Sequence, residues 1–172
     1  MANDDNPSGF LPYINLADGG GGEPKPLYLD LSSSNTEIGL GAPVASISGV
    51  IDIWSSGALI GMAAEHKAAS AGGQIAVWAN PLQLFVGQTD DGTGVLTAIA
   101  GVQLNATIIV GGVSNNRSTA EIDESSGLST ATLELKIIRL SNEINNAFGE
   151  FNRLVVKINN HQLQGHTGTA GT

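Results

Sequence analysis

Residues 153–159 read Arg-Leu-Val-Val-Lys-Ile-Asn. In an extended chain Leu154, Val156 and Ile158 fall on one side, and Arg153, Val155 and Lys157 on the other. A period of two that includes β-branched residues is the pattern of a strand packed on one face. The same period recurs upstream. Leu133, Leu135 and Ile137 alternate with Thr132, Glu134 and Lys136, and Ile75 and Val77 point inward in "QIAVWAN". In "LQLFVG" the inward residues are expected to be Leu82, Leu84 and Val86, with Pro81 marking a break or an edge. Ala45, Ile47, Ile51 and Ile53 are expected to share a face against Ser46, Ser48 and Asp52. Leu27, Leu29 and Leu31 likewise oppose Tyr28 and Asp30. Short strands joined by Gly-, Ser- and Asn-rich turns predict an all-β domain, a small barrel or sandwich.

Two segments depart from this period. "MAAEHKAAS", 62–70, has helical propensity, but Gly61 and Gly72-Gly73 bracket it and no apolar stripe runs at helical spacing, so strand or loop is expected. A short helical turn is expected near 96–100. Residues 1–26 hold four prolines and five glycines and read as an extended N-terminal arm, with Gly19–Gly22 as a hinge. Phe10, Leu11, Tyr13, Ile14 and Leu16 are apolar enough that part of this arm should dock. The expected organisation is therefore an arm at 1–26, a β domain at 27–160 and an ordered C-terminal tail at 161–172.

The length, 172 residues, suits one domain with a real core. Apolar residues make up 41% of it and exclude wholesale disorder, while charged residues are only 13%. Such a surface favours close approach to another protein. The net charge of −9 argues against a nucleic-acid partner, since phosphate binding rests on Lys and Arg. Residues 1–124 set 13 acidic side chains against 3 basic ones, whereas 125–172 set 3 against 4. The weakly charged C-terminal quarter is thus the better candidate for an interface, because desolvating charge is costly. The sequence has no cysteine, which excludes disulfides and thiolate chemistry. "MANDDNPSGF" lacks the apolar core of a signal peptide, and no run reaches 18 apolar residues, so neither export nor a membrane span is expected.

Chemistry-bearing residues are few. His161 and His166, five apart, do not share a face of a strand or helix, and no carboxylate follows Glu150, so no metal site is expected. His66 has no evident partner. "TDDGTG", 89–94, lacks the alternating Asp/Asn and closing Glu of a calcium loop and reads as a hairpin turn. Glu121, Asp123 and Glu124 could in principle pair across a cleft as glycosidase carboxylates do. Adjacent acids on a strand alternate faces, however, and no Gly-x-Ser-x-Gly elbow is present. No catalytic residue, metal or cofactor is assigned. Trp54, Trp78, Phe85 and Tyr28 could stack on a sugar, although core and edge packing is the commoner fate of such residues; a carbohydrate-binding module is the alternative reading.

"AVWANPLQLFVGQTDDG", "VQLNATIIVGG", "AEIDESSGLSTATLELKIIRL" and "LVVKINNHQLQGHTGTAGT" together resemble the capsid decoration, or cement, proteins of tailed bacteriophages. The resemblance rests on Pro81 before an apolar strand, Leu104-Asn105-Ala106, the Thr130–Leu133 strand, the Lys157–His161 tail and Gly165–Gly168. It covers about residues 74–172, with "NPSGFLP" resembling the family's opening. The resemblance implies a structural protein on the outer capsid surface of the virion, assembled in the host cytoplasm. Its partners would be the phage major capsid protein and itself, as a homotrimer. An Asn-Asn-His-Gln segment offers donors and acceptors without net charge. Arg153, Lys157, Asn159, Asn160, His161 and Gln162 are accordingly the candidate intersubunit contacts.

Overall fold

A computed structural model describes residues 3–19, 23–90, 96, 98–126 and 129–164. Among these every regular element is a strand or a 3-10 turn. The strands are β1 (Leu11–Asn15), β2 (Leu27–Asp30), β3 (Pro43–Ile47), β4 (Val50–Ile53), β5 (Gly61–Ala63), β6 (Gln74–Trp78) and β7 (Gln83–Gln88). Then come β8 (Asn105–Ala106), β9 (Ile108–Ile109), β10 (Val113–Ser114), β11 (Arg117–Ser118), β12 (Glu121–Ile122), β13 (Leu135–Leu140) and β14 (Arg153–Ile158). The protein is all-β.

Two five-stranded sheets dominate. The first runs β1-β7-β14-β13-β8, and every neighbouring pair is antiparallel. The second runs β2-β6-β5-β3-β4 and curls until its edges meet. Leu31, just past β2, bridges to Ile51 of β4, and the Ser32 N–H donates to the Ile51 carbonyl at 3.0 Å. The curl removes most of the free edge that an open sheet would expose.

Each sheet has a core against it. Phe10, Phe85, Leu135, Ile137, Leu154, Val156 and Ile158 of the first sheet pack with Ala45, Trp54, Leu59 and Met62 from the second. Inside the curl lie Leu31, Ile38, Val44, Ile51, Ile60, Ala63, Ile75 and Val77. Strands β3 and β5 thus serve both cores with alternate residues, Ala45 and Met62 outward, Val44 and Ala63 inward. Fully buried strands read as continuous apolar runs, because no side faces water. Gly61 is demanded by this packing, since a Cβ there would strike the Trp78 backbone.

Several expected faces hold and several reverse. Leu154, Val156 and Ile158 are core residues, as are Ile75 and Val77. Residues 62–70 are the end of β5 and a loop, and a 3-10 turn spans Ile99–Gly101. In β7, however, Phe85 faces the core while Leu82 is exposed and Leu84 and Val86 lie on the far side. In β3 it is Val44 that enters the curl, and Ile47, beside the tight Ser48-Gly49 turn, is 49% exposed. Leu27 is also exposed.

The part of the arm expected to dock finds its partners in its own chain. Residues 11–15 are β1, an edge strand of the first sheet in register with β7. Phe10 is 0% exposed, and Gly87 makes the room, since a Cβ at that position would strike the Phe10 ring. The Gln88 carboxamide pairs with both backbone groups of Asn6 at 3.0 and 3.2 Å. Asn3 ties down the far end, donating from Nδ2 to the Ala147 and Glu150 carbonyls. The apolar content of residues 10–16 drives this docking, and residues 3–16 belong to the β domain. Of the expected hinge, Gly19 takes the left-handed conformation, and 20–22 lie outside the described residues.

Candidate functional site

The C-terminal strand leads into a clasp between the two sheets. Asn159 donates from Nδ2 to the Ala131 and Leu133 carbonyls at 3.0 and 3.1 Å. The Leu59 N–H donates to the Asn160 carbonyl, and the Gln162 N–H returns a bond to the Leu59 carbonyl at 2.7 Å. The Gln162 carboxamide then reads the Ser46 backbone as a strand would, accepting from its N–H at 2.8 Å and donating to its carbonyl at 3.1 Å. His161 lies beneath, 2% exposed.

The His161 ring is held as a neutral tautomer. Its Nδ1 accepts the Leu163 N–H at 3.0 Å, which leaves the proton on Nε2. Burial, and then the positive charge of Lys157, lower its pKa to about 4; the Ala79 backbone opposes them. A metal would require a freely presented ring nitrogen, whereas Nδ1 is occupied and Nε2 is sealed from solvent. Among the described residues no group of three or more His, Cys, Asp or Glu side chains is placed to hold a metal ion. His166, and with it the Gly165–Gly168 motif, lies outside the described residues.

The other face of the first sheet is the second feature. Val155 points away from the core between the sheets, yet it is fully buried. Its cross-strand partner is Arg139, which sits there because Ile138 is an extra residue in β13. Without that bulge the alternation from Leu135 and Ile137 would drive Arg139 into the core. A second bulge, at Tyr13 in β1, frees the phenol ring. The Arg139 guanidinium lies 5.3 Å from the Tyr13 ring centre and donates to its hydroxyl. The two residues reach across β7 and β14, three strand spacings or roughly 14 Å, and cover Val155. Leu84 and Val86 share this outer face through their pairing with Lys157 and Val155.

Flanking this cover, Arg153 pairs with Glu143 at 2.7 Å, between two adjoining hollows of about 170 and 180 Å³. The loop that supplies Glu143 is fixed by Asn146. It accepts the Arg153 N–H and donates to the Ser141 and Arg153 carbonyls. Ile144 on that loop is 92% exposed. At the opposite end Lys136 and Lys157 are direct cross-strand partners.

Of the six candidate contacts, then, Asn159, His161 and Gln162 make bonds within the chain, and Asn160 contributes its carbonyl to the clasp. Arg153 is half-buried and ion-paired with Glu143, and Lys157 is half-buried on the outer face of the first sheet. The sequence could not separate these fates, because a polar side chain reads the same whether its partner is the chain's own backbone or another molecule.

The remaining candidates are placed as follows. His66 meets Glu37 at 2.9 Å. Asp123 caps a 3-10 turn, accepting from the Ser125 N–H and hydroxyl, and the Glu124 N–H donates to Asp90. Residues 91–94 of the "TDDGTG" turn lie outside the described residues. Trp54 and Phe85 are core residues, Trp78 packs on the same core, and Tyr28 is 67% exposed, so the four do not form one platform. Comparison of the chain with protein-family models, curated proteins and solved structures gives no match.

Proposed function

We propose that the protein is a capsid decoration, or cement, protein of a tailed bacteriophage. It binds the outer surface of the head, contacts the major capsid protein and its own copies as a trimer, and stabilises the mature shell. A ligand that binds only the assembled lattice stabilises that lattice by mass action. Three linked copies on one site gain avidity, so no single contact has to be strong.

One observation carries this reading: several of the residues that carry the resemblance have structural work in the fold, although Thr130–Leu133, expected as a strand, forms a turn before β13 and Gly165–Gly168 lies outside the described residues. Asn105 and Ala106 form the edge strand β8, and the Asn105 Nδ2 donates to the Thr130 carbonyl. Lys157 to His161 run from the strand at the centre of the first sheet into the clasp. A motif spent on architecture in this way belongs to a fold rather than to a chance run of polar residues. The low share of charged residues suits close approach to another protein.

Heads assembled without the protein are expected to form but to lose DNA or rupture at lower temperature and on osmotic shock, with added protein restoring them. Heads equally robust with and without it would sink the proposal.

A further inference from the structure

Four of the chain's seven basic residues, Lys136, Arg139, Arg153 and Lys157, stand on the outer face of the first sheet. The three others serve a chain of sixteen acidic residues. Charge is therefore segregated, and by construction, since the bulge at Ile138 brings Arg139 to this side. Arg153 has Glu143 and Arg139 has Tyr13, but Lys157 has neither hydrogen bond nor ion pair among the described residues. It lies directly opposite Lys136. Like charges at opposed positions of a β-ladder destabilise it. Lys136 also donates to the Gln103 carbonyl at 3.3 Å, so Lys157 is the member of the pair that the fold leaves without a bond.

The complementary surface lies at the seam of the curled sheet. There Leu29, Leu31, Ile51 and Ile53 point into the curl, so Tyr28, Asp30 and Asp52 point out. Neither carboxylate is in an ion pair among the described residues.

We propose that copies of this chain dock head to tail. Lys136 and Lys157 of one copy meet Asp30 and Asp52 of the next, with the exposed Tyr28 ring against the lysine stems. The partner is a second copy because the chain itself carries both halves of the match. Two molecules of net charge −9 repel at long range, but beyond about 8 Å that repulsion is screened at physiological salt, so the contact pairs decide. The contact joins two different surfaces, so it closes into a ring or continues as a filament. This deepens the self-association in the proposed function, and it is tested without capsids.

The experiment is sedimentation of the purified full chain over a micromolar concentration range at low and high salt. Reversible association that weakens with salt is expected. K136E/K157E and D30K/D52K should each raise the dissociation constant at least about ten-fold. The chain carrying all four changes should recover association, because the swap restores every contact whatever the ring size. Melting curves verify folding, and K157Q and D52N replace any variant that melts early. A wild type that stays monomeric, variants that associate normally, or a four-fold variant that does not recover would each overturn the proposal. Failure here with heads still stabilised by added protein would leave the cement reading standing.

Discussion

His161 keeps a titratable ring neutral inside the clasp, and stability should follow its proton. Its pKa falls from an ordinary 6.5 to about 4 in the folded chain, so between these values the unfolded state binds the proton more readily. Its contribution is whole above pH 6.5 and is lost as pH falls through 4, by at most about 3.5 kcal/mol at roughly 1.4 kcal/mol per unit. Melting temperature should therefore hold from pH 8 to 6.5 and fall steadily below. His161→Asn keeps an acceptor for the Leu163 N–H and removes the titration, so its melting temperature should change less over the same interval. Equal slopes for the two proteins would exclude His161 as the source. The sequence gives the histidine and Lys157 four residues before it, but not the burial, which arises from Leu59, about a hundred residues upstream, folding back over it.

At the scale of elements, β1 rests on β7 through one missing side chain. Gly87→Ala should push Phe10 out, costing about 1–3 kcal/mol as overpacking does and making the segment before Asn15 a protease substrate. Gly112→Ala, where a Cβ meets nothing within 4 Å, is the control. An unchanged melt for Gly87→Ala would show that the ring has room to move. Which strands are legible in advance follows the same logic. β14 has charged residues on one side and is read correctly from its alternation. In β7 both sides are apolar, since the Tyr13–Arg139 pair reaches over its outer face, and a period of two then gives no sign of which side is in. Bulges are equally silent: Ile138 and Tyr13 fit the alternation as ordinary residues, and only pairing with the neighbouring strand reveals the extra one.

Across the whole molecule, the two sheets share a wall and are fastened by the clasp. Truncation after Asn159 removes His161 and Gln162, and with them the Leu59 and Ser46 bonds. It should lower the melting temperature markedly, since several net hydrogen bonds of about 1 kcal/mol each go with a buried side chain. Truncation after Gln164 spares the clasp and is the comparison that isolates its loss. A fold indifferent to the first truncation would mean that the shared core alone holds the sheets together. The all-β class was legible because turn residues and short alternating runs are local signals. The joining of residue 161 to residue 59, and the curl closed by Leu31 and Ile51, are long-range facts that local pattern does not encode.

The order of strands in the first sheet also dictates when it can exist. β7 is flanked by β1 and β14, the first and last strands of the chain, so the sheet's centre is missing until residue 158 is available. The curled sheet draws only on residues 27–78. During synthesis the curl can therefore form while the chain is still tethered to the ribosome, with β1 waiting unpaired beside it. Completion of the first sheet must wait for residues 153–158 and is an event of high contact order, on the millisecond-to-second scale typical of such topologies. The nascent protein spends that interval with Phe10 and the face of Met62 and Trp54 uncovered, and crowding among nascent chains is the hazard its topology creates.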